Sequence, residues 1–450
     1  MNIDVASAGY IQAERIIRVE TPLGLDVILP EKMEMREEIG GLFEIAVAVR
    51  SKKTDLKAED IVGKLIDVSL ETCALTRRTW NGLVTDLYEG PQVTRGLRAY
   101  KLIVRPEHWL LTQRSDCRIW LDKTAVEVAQ ILMGEHGLAS PVTKGIVTDP
   151  PKHHYSVQFN ETDWAYMCRR LEEDGIWFWF EHEGGELGSV AATHTLHLSS
   201  DIFGYVDGPE PDVRFAMGST DRNHISKFEK RFRFIPGKRA GADWNFQAPG
   251  DVPSADTPSL INMLKNADYE LYEYPSIGGY GSGDRSSDDI DQEHVEARTK
   301  LRMMAAEADH ERIEGNANVR NLAPARRFTP YDVANPTNTF EEHVIHAIIH
   351  KAEDRSYETN EGDPDYKCAF EAIPSRVPAT PHRKTKHPRI DGQQIVLEDT
   401  FRRSGKSSKK HGKNAALQML QPRLALTVYF LLAKCLWEGW RLQEFGLLTS

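Results

Sequence analysis

The sequence predicts an α+β fold that is mainly β, and two observations lead to this class. Short segments with strand-like hydrophobic patterns recur in residues 15–105, 194–235 and 313–375, separated by turn residues about every 10–20 positions. Three amphipathic helical patterns interrupt them. The chain has 450 residues, 40% hydrophobic and 27% charged, which is typical of a globular protein with two to four domains.

The first region predicts a barrel or a small sandwich of short strands. Ile45–Val49 is a continuous apolar run after the turn residues Gly40 and Gly41, and Leu65–Leu70 alternates partly between apolar and polar residues. Leu83–Tyr88 and Tyr100–Arg105 continue the pattern, and Pro106 ends the last strand.

Helices are predicted by their capping residues and by their apolar stripes. Thr124 and Glu127 form a capping box at the start of the first helix, and Gly137 suits its end. The second helix begins near Thr162 and ends at Gly175, with its apolar stripe at Trp164, Met167, Cys168 and Leu171. The stripe of the third helix consists of Ala297, Leu301, Met304, Ala305 and Ala308.

Four consecutive large aromatic residues, Trp177–Phe180, favour a strand with two rings on each face. Such a strand is either buried on both faces within one chain, or it packs one face on the core and the other on a partner. We predict that residues 176–180 form a strand with at least one deeply buried ring face.

The net charge of −11 combines two different parts of the chain. Residues 401–450 contain nine Lys or Arg and two Asp or Glu, a net of +7, so residues 1–400 carry −18. Because phosphate attraction needs clustered cations, an acidic chain is a poor nucleic-acid binder, and we expect no nucleic-acid partner.

Five widely separated cysteines with no C-x-x-C pair argue against a disulfide framework and against a zinc knuckle. A reducing compartment is therefore expected. The N-terminus shows no signal-peptide pattern, and the longest apolar candidate, Leu424–Trp437, is too short to span a bilayer.

Enzyme motifs are missing: the sequence contains no P-loop, no H-E-x-x-H and no G-x-S-x-G. The glycine-rich stretch Gly278–Gly283 does not follow a hydrophobic strand and precedes the acidic stretch Asp284–Asp291, so a plain loop is favoured over a phosphate site. The acidic stretch lacks EF-hand spacing, so a solvated loop is favoured over a calcium site. We expect no catalytic, cofactor-binding or metal-binding residues, and no cofactor.

Histidines and acidic residues offer three weaker candidates. On a helix, His343, His346 and His350 would share one face and could bind a metal, but the β-branched residues around them favour an ordinary strand. The run Glu172–Asp174 is interpreted as a solvated helix end with Arg169/Glu173 and Arg170/Asp174 as partners, although it could instead contact a neighbouring subunit. The pair His153–His154 is predicted on the surface. The Pro- and Lys-rich segment Pro374–Pro388 reads as a linker.

Three stretches resemble the VgrG spike family of type VI secretion. Arg78–Val84 resembles its R-x-[FW]-x-G-x-V strand, and Tyr100–Asp122 looks like its Y-x-L-x-[LV]-R-P-x-x-W-L-L-x-x-R segment. Val157–Phe180 is similar to its Q-[YF]-x-E-[ST]-D signature, and Tyr272–Pro275 gives a weaker match to Y-D-Y-P. The matches stand in family order, and the resemblance covers about residues 15–395.

This resemblance implies two barrel-like phage tail-hub domains joined by mixed α/β regions. We expect a hub-like region at 1–395, with barrels at about 15–110 and 190–375 and a helical insert at about 120–175. The resemblance further implies a structural, non-enzymatic role. A homotrimer with pseudo-sixfold symmetry would sit at the tip of the hexameric Hcp tube for contraction-driven delivery of effectors. Effector or adaptor proteins are implied partners. Assembly would take place in the cytoplasm, and secretion would use the type VI apparatus, with only transient membrane contact.

The sequence departs from the family pattern after Ile395. The family's OB-fold opening and β-helix needle are absent, and residues 396–450 form a basic, then apolar tail. We interpret the chain as truncated before or in the OB-fold, with the tail produced by a shifted reading frame. The alternatives are a short membrane-active effector extension on the hub, or a hub that belongs to a phage or phage-like contractile tail.

Overall fold

A computed structural model of the chain describes residues 10–72, 76–93, 96–185, 188–218, 222–243, 252–276, 292–354 and 364–389. The glycine-rich and acidic stretches at 278–291 and the tail at 396–450 lie outside these residues. All but residue 252 of the described part belong to one compact unit. None of its helices is both long and apolar enough to cross a membrane.

Strands dominate the described residues, as the sequence predicts. Those of the first half are β1 (Ile17–Glu20), β2 (Ile28–Glu38), β3 (Glu44–Ser51), β4 (Leu65–Glu71), β5 (Arg77–Gln92), β6 (Arg98–Arg105), β7 (Ser115–Lys123), β8 (Val142–Gly145), β9 (His153–Thr162), β10 (Trp177–Glu183) and β11 (Thr193–Ser199). Those of the second half are β12 (Val206–Phe215), β13 (Ile225–Phe232), β14 (Lys238–Ala242), β15 (Ser254–Pro258), β16 (Glu270–Glu273), β17 (Glu311–Ala317), β18 (Arg326–Asp332), β19 (His343–Glu353) and β20 (Asp365–Pro374).

Helices lie between these strands. The α-helices are α1 (Ala58–Ile61), α2 (Ala125–Glu135), α3 (Asp163–Glu173) and α4 (Gln292–Ala308), and 3-10 turns span Glu107–Gln113, Ile202–Gly204 and Asn266–Asp268. The predicted capping box is confirmed: the Glu127 amide donates to Thr124 Oγ1 at 3.0 Å, and the Thr124 amide donates to Glu127 Oε2 at 2.9 Å. Thr162 caps α3 in the same way, through the Ala165 amide.

Two six-stranded barrels form the body of the molecule. In the first, the strand order is β1-β4-β5-β6-β3-β2, and β1 also contacts β2, which closes the ring. In the second, the order is β19-β18-β12-β13-β17-β20, and the pairing of β19 with β20 closes it. One hydrophobic core runs through both barrels.

The two barrels are joined by direct strand pairing. Strand β2 pairs antiparallel with β19, from Glu38 opposite Ala347 to Lys32 opposite Glu353. The twelve strands therefore form one continuous sheet. Because 309 residues separate Glu38 from Ala347, no local sequence pattern predicts this seam.

The aromatic strand β10 is buried on both faces within one chain. Phe178 packs into the core of α2, α3 and β11, whereas Trp177 and Trp179 pack against Ile39, Val344 and other residues of the barrels. Trp177 is 1% exposed and Trp179 is 2% exposed. The predicted strand is confirmed, and the first of the two alternatives for its faces is the one observed.

Gly82 in β5 is a position where an added methyl group has no room. A Cβ atom there would lie 2.7 Å from Val104 Cγ1 and 2.9 Å from the backbone oxygen of Arg105. We expect Gly82→Ala to lower the free energy of unfolding by about 1–3 kcal/mol, measured by urea denaturation. Gly134→Ala in α2, where nothing lies within 4 Å, is the control, and it should stabilise by roughly 0.5–1 kcal/mol. Equal effects at both sites would contradict this account.

Candidate docking surface

The family-like motif residues meet at the seam between the barrels. Arg78 donates to Glu37 Oε2 at 2.7 Å and to the Leu322 backbone oxygen at 2.7 Å, and Trp80 donates to Glu37 Oε1 at 2.7 Å. Arg78 also lies 3.2 Å from His350 Nε2. Residues of β5, β2 and β19 are thus tied together by a polar network around a fully buried Trp80. This is a structural arrangement that fixes one barrel to the other.

The histidines of β19 occupy separate environments along a strand, so the strand alternative is confirmed. His343 packs on Phe228 and Phe328 inside the second barrel, and His350 contacts Trp80 and Tyr366 at the seam. Burial holds the pKa of His343 at about 4 and that of His346 at about 3. In the described part of the chain, no group of three or more His, Cys, Asp or Glu side chains could hold a metal ion.

The predicted solvated end of α3 is instead a buried charge cluster. Glu173 is 2% exposed and accepts from Arg169 at 3.2 Å and from Arg170 at 2.7 Å. Asp174 pairs with Arg298 of α4 at 2.9 Å, and not with Arg170. The prediction was right for the Arg169/Glu173 pair and wrong for the exposure, because α4 and the segment after β20 cover this end of the helix.

His153, predicted on the surface, also belongs to this charge cluster. Its ring nitrogens lie 2.6 Å from Arg170 Nη1 and 2.9 Å from Arg298 Nη2. Burial and the two guanidinium groups lower the pKa of His153 to about 2, which keeps the ring neutral between two cations. His154 remains partly exposed and contacts Asp122 at 2.9 Å.

The predicted linker is packed against the body as far as residue 389. Tyr205 donates to the Val377 backbone oxygen at 2.8 Å, and the Thr385 amide donates to Glu172 Oε2 at 2.9 Å. His382 and His387 approach Asp309 at 2.9 Å and Glu173 at 3.3 Å. Pro, Lys and His content suggested a solvated linker, but each polar side chain here has a matching acidic partner.

Exposed apolar side chains concentrate on one part of the molecule. Helix α4 carries the small sheet β15-β14-β16, whose core is formed by three fully buried residues, Ile235, Met303 and Ala306. Around this core lie eight large exposed side chains, here called the 232–274 surface: Phe232, Phe234, Leu260, Leu264, Tyr269, Leu271, Tyr272 and Tyr274.

The 232–274 surface is more apolar than a solvated surface needs to be. Leu260 is 91% exposed and Leu264 is 89% exposed, and the Phe234 and Tyr269 rings contact each other with centroids 5.8 Å apart. A contiguous apolar patch next to a very small core is typical of a surface that is buried in an assembly. The sequence analysis treated this region as loop-rich. The signal that it overlooked is the spacing of Leu and Tyr residues through 260–274.

The face that α4 buries also differs from the predicted stripe. Ala297 is exposed, whereas Arg298 and Arg302 are buried together with Val295, Thr299 and Met303. The helix itself is confirmed. The face was wrong because the two arginines reach Asp174 and the Glu172 backbone oxygen.

Comparisons with known proteins agree with this architecture. The family described as phage tail baseplate hub (GPD) matches residues 36–356. The type VI secretion system spike protein VgrG1a of Pseudomonas aeruginosa is 28% identical over 362 residues, which cover 78% of this chain and 52% of that protein. The chain therefore spans about half the length of this relative.

Two solved structures share the fold. The c3393 protein of E. coli is a type VI secretion component described as similar to the phage T4 tail proteins gp27 and gp5. It superposes with a TM-score of 0.55 at 15% identity, covering 85% of this chain and 81% of its own. The tail protein of Neisseria meningitidis MC58 gives 0.55 at 9% identity, covering 81% and 98%. With residues 36–356 matched, the chain belongs to the phage tail baseplate hub family and is a relative of the VgrG spike proteins.

Proposed function

We propose that the chain is a structural spike and hub component of a type VI secretion apparatus. Three copies form a ring at the tip of the Hcp tube, and sheath contraction drives the ring outward with its effectors. The observation that carries the proposal is the pair of six-stranded barrels joined by β2 and β19. Three chains with two barrels each present six barrels, which match the symmetry of a hexameric tube.

The role is mechanical and non-enzymatic. The motif residues Arg78, Trp80 and Glu173 serve buried structural contacts, and this agrees with a rigid docking ring. Effector or adaptor proteins are the proposed cargo. The ring assembles in the cytoplasm and leaves the cell through the apparatus.

The 232–274 surface is the proposed contact between subunits. An obligate interface is apolar and large, and burying exposed leucines and tyrosines supplies roughly 25 cal/mol per Å². We expect light scattering to give the full chain a mass of about 153 kDa, three times 51.0 kDa. The double variant Leu260→Asp/Leu264→Asp should elute as a monomer, because both side chains would bring charge into the interface.

Met217→Asp is the matched control, since Met217 is also exposed but lies outside the 232–274 surface. It should keep the mass of the unmodified chain. A trimer that survives the double variant would show that the subunits meet elsewhere, and a monomeric unmodified chain would contradict the trimer.

A hub from a phage or phage-like contractile tail is the second candidate. The hub family that matches the chain and the Neisseria tail protein favour it as well. Binding of the purified ring to the Hcp hexamer encoded in the same genome tests the choice. We expect direct binding for a type VI spike, whereas binding to a phage tube protein instead would support the second candidate.

A further inference from the structure

Three arginines surround a small cavity between α4 and the sheet β15-β14-β16. Arg298 and Arg302 lie one turn apart on α4, and Arg239 comes from β14. Gly241 and Ser276 complete the wall on the sheet side. The cavity encloses about 210 Å³ of empty space including its mouth. Pockets for organic ligands run to about 300–1,000 Å³, so this one has room for a small ion.

The guanidinium groups have donors that no described acceptor uses. Arg298 is 4% exposed and Arg302 is 6% exposed, and one terminal nitrogen of each has no hydrogen-bond partner. The Nε atom of Arg239 is also buried without a partner. A buried N–H without an acceptor costs about 1–3 kcal/mol, and more in a charged group, so an occupant that accepts these bonds would be strongly favoured.

Positive charge at the cavity is incompletely balanced among the described residues. Arg298 pairs with Asp174, but Arg302 donates to a backbone oxygen, that of Glu172, at 3.3 Å. Glu273 in the cavity wall pairs with Arg383. Ser276 donates its hydroxyl to Asp243 at 3.0 Å. Arg239 and Arg302 therefore face the cavity without a carboxylate bound to either of them.

The acidity of these groups agrees with this charge balance. Burial lowers the pKa of Arg302 to about 10, and the nearby Arg298 and Arg239 contribute in the same direction. Burial also lowers the pKa of Arg239. Because guanidinium groups stay charged at neutral pH, the cavity remains cationic.

We propose that this cavity binds a small inorganic oxyanion of the phosphate or sulfate type. The planar guanidinium groups present paired N–H donors that match two oxygens of such an ion. The bound ion accepts from Arg239, Arg298 and Arg302 and so links β14 to α4. It thereby stiffens the element that carries the 232–274 surface, independently of whether the ring acts in a type VI apparatus or a phage tail.

Equilibrium dialysis of the full chain against radiolabelled inorganic phosphate tests the proposal, with chloride keeping the ionic strength constant. We expect one phosphate per chain at saturation. Arg302→Gln should weaken binding by at least about tenfold, since a charge-assisted hydrogen bond contributes roughly that factor. Sulfate should compete with phosphate, whereas chloride should not.

Arg239→Gln serves as the second variant, and it decides the question if Arg302→Gln does not fold. It should also weaken binding at least about tenfold, with an unchanged circular dichroism spectrum. Arg231→Gln, which removes a half-exposed arginine of β13 that pairs with Glu314, is the matched control and should bind phosphate normally. Absence of saturable phosphate binding, or binding that both cavity variants retain, would overturn the proposal.

Discussion

Glu173→Ala is expected to lower the free energy of unfolding by about 3–5 kcal/mol, which is the usual effect of removing one partner from a buried ion pair. Arg170, which is fully buried, would lose its carboxylate partner at 2.7 Å, and Arg169 would lose one of its two. Burial alone would raise the pKa of Glu173, but Arg170, Arg298 and Arg169 outweigh burial and hold that pKa at about 2. The carboxylate is therefore charged at all ordinary pH values.

Urea denaturation of the variant measures this effect. Glu229→Ala is the control, because its ion pair with Lys227 is exposed and should contribute less than about 1 kcal/mol. The double variant Arg170→Met/Glu173→Leu should recover much of the loss, since apolar side chains of similar size replace a buried pair well. A loss below about 1 kcal/mol for Glu173→Ala would show that the cluster does not support the fold.

Acid is expected to destabilise the hub well above the pH at which most carboxylates titrate. Three histidines, His108, His182 and His194, gather around Phe43 and Phe180 next to the seam. The Glu107 amide donates to Nε2 of His194 at 3.0 Å, so this ring is held neutral by a bond that protonation would break. Both ring nitrogens of His108 and of His182 are buried without a partner.

The direction follows from the lowered pKa values. Burial lowers the pKa of His108 to about 3 and that of His194 to about 4, against 6.5 in the unfolded chain. Between these values the unfolded chain binds protons that the folded chain does not, so stability is full above pH 6.5 and falls as the pH decreases. At pH 5 each of the two histidines contributes a loss of about 2 kcal/mol. Burial raises the pKa of Glu107, which acts in the opposite direction for one group.

Denaturation curves at pH 7, 6, 5 and 4.5 measure this loss. His108→Phe should flatten the profile by one proton, because Phe fills the same site against Phe180 and does not titrate. A free energy of unfolding that stays constant from pH 7 to 4.5 would contradict neutral buried histidines.

Local features of the fold were predictable from the sequence. The capping residues Thr124 and Glu127 marked the start of α2 because their hydrogen bonds involve neighbours three residues apart. The aromatic run Trp177–Phe180 indicated a buried strand because rings of that size have few other stable environments. Both features depend on short sequence distances.

Features that depend on long-range contacts were not predictable. Glu173 and His153 looked like surface residues because their partner Arg298 lies more than 120 positions away on α4. The pairing of β2 with β19 and the packing of residues 377–389 against Tyr205 and Glu172 have the same origin. Composition indicates which residues prefer water, but a buried charge is acceptable wherever the fold supplies its partner.

Single-particle electron microscopy of the purified full chain tests the central claim most directly. The account predicts particles with threefold symmetry in which six barrels of similar size form a closed ring, with the 232–274 surface of each chain buried against its neighbour. Isolated pairs of barrels, or particles in which that surface faces solvent, would contradict it.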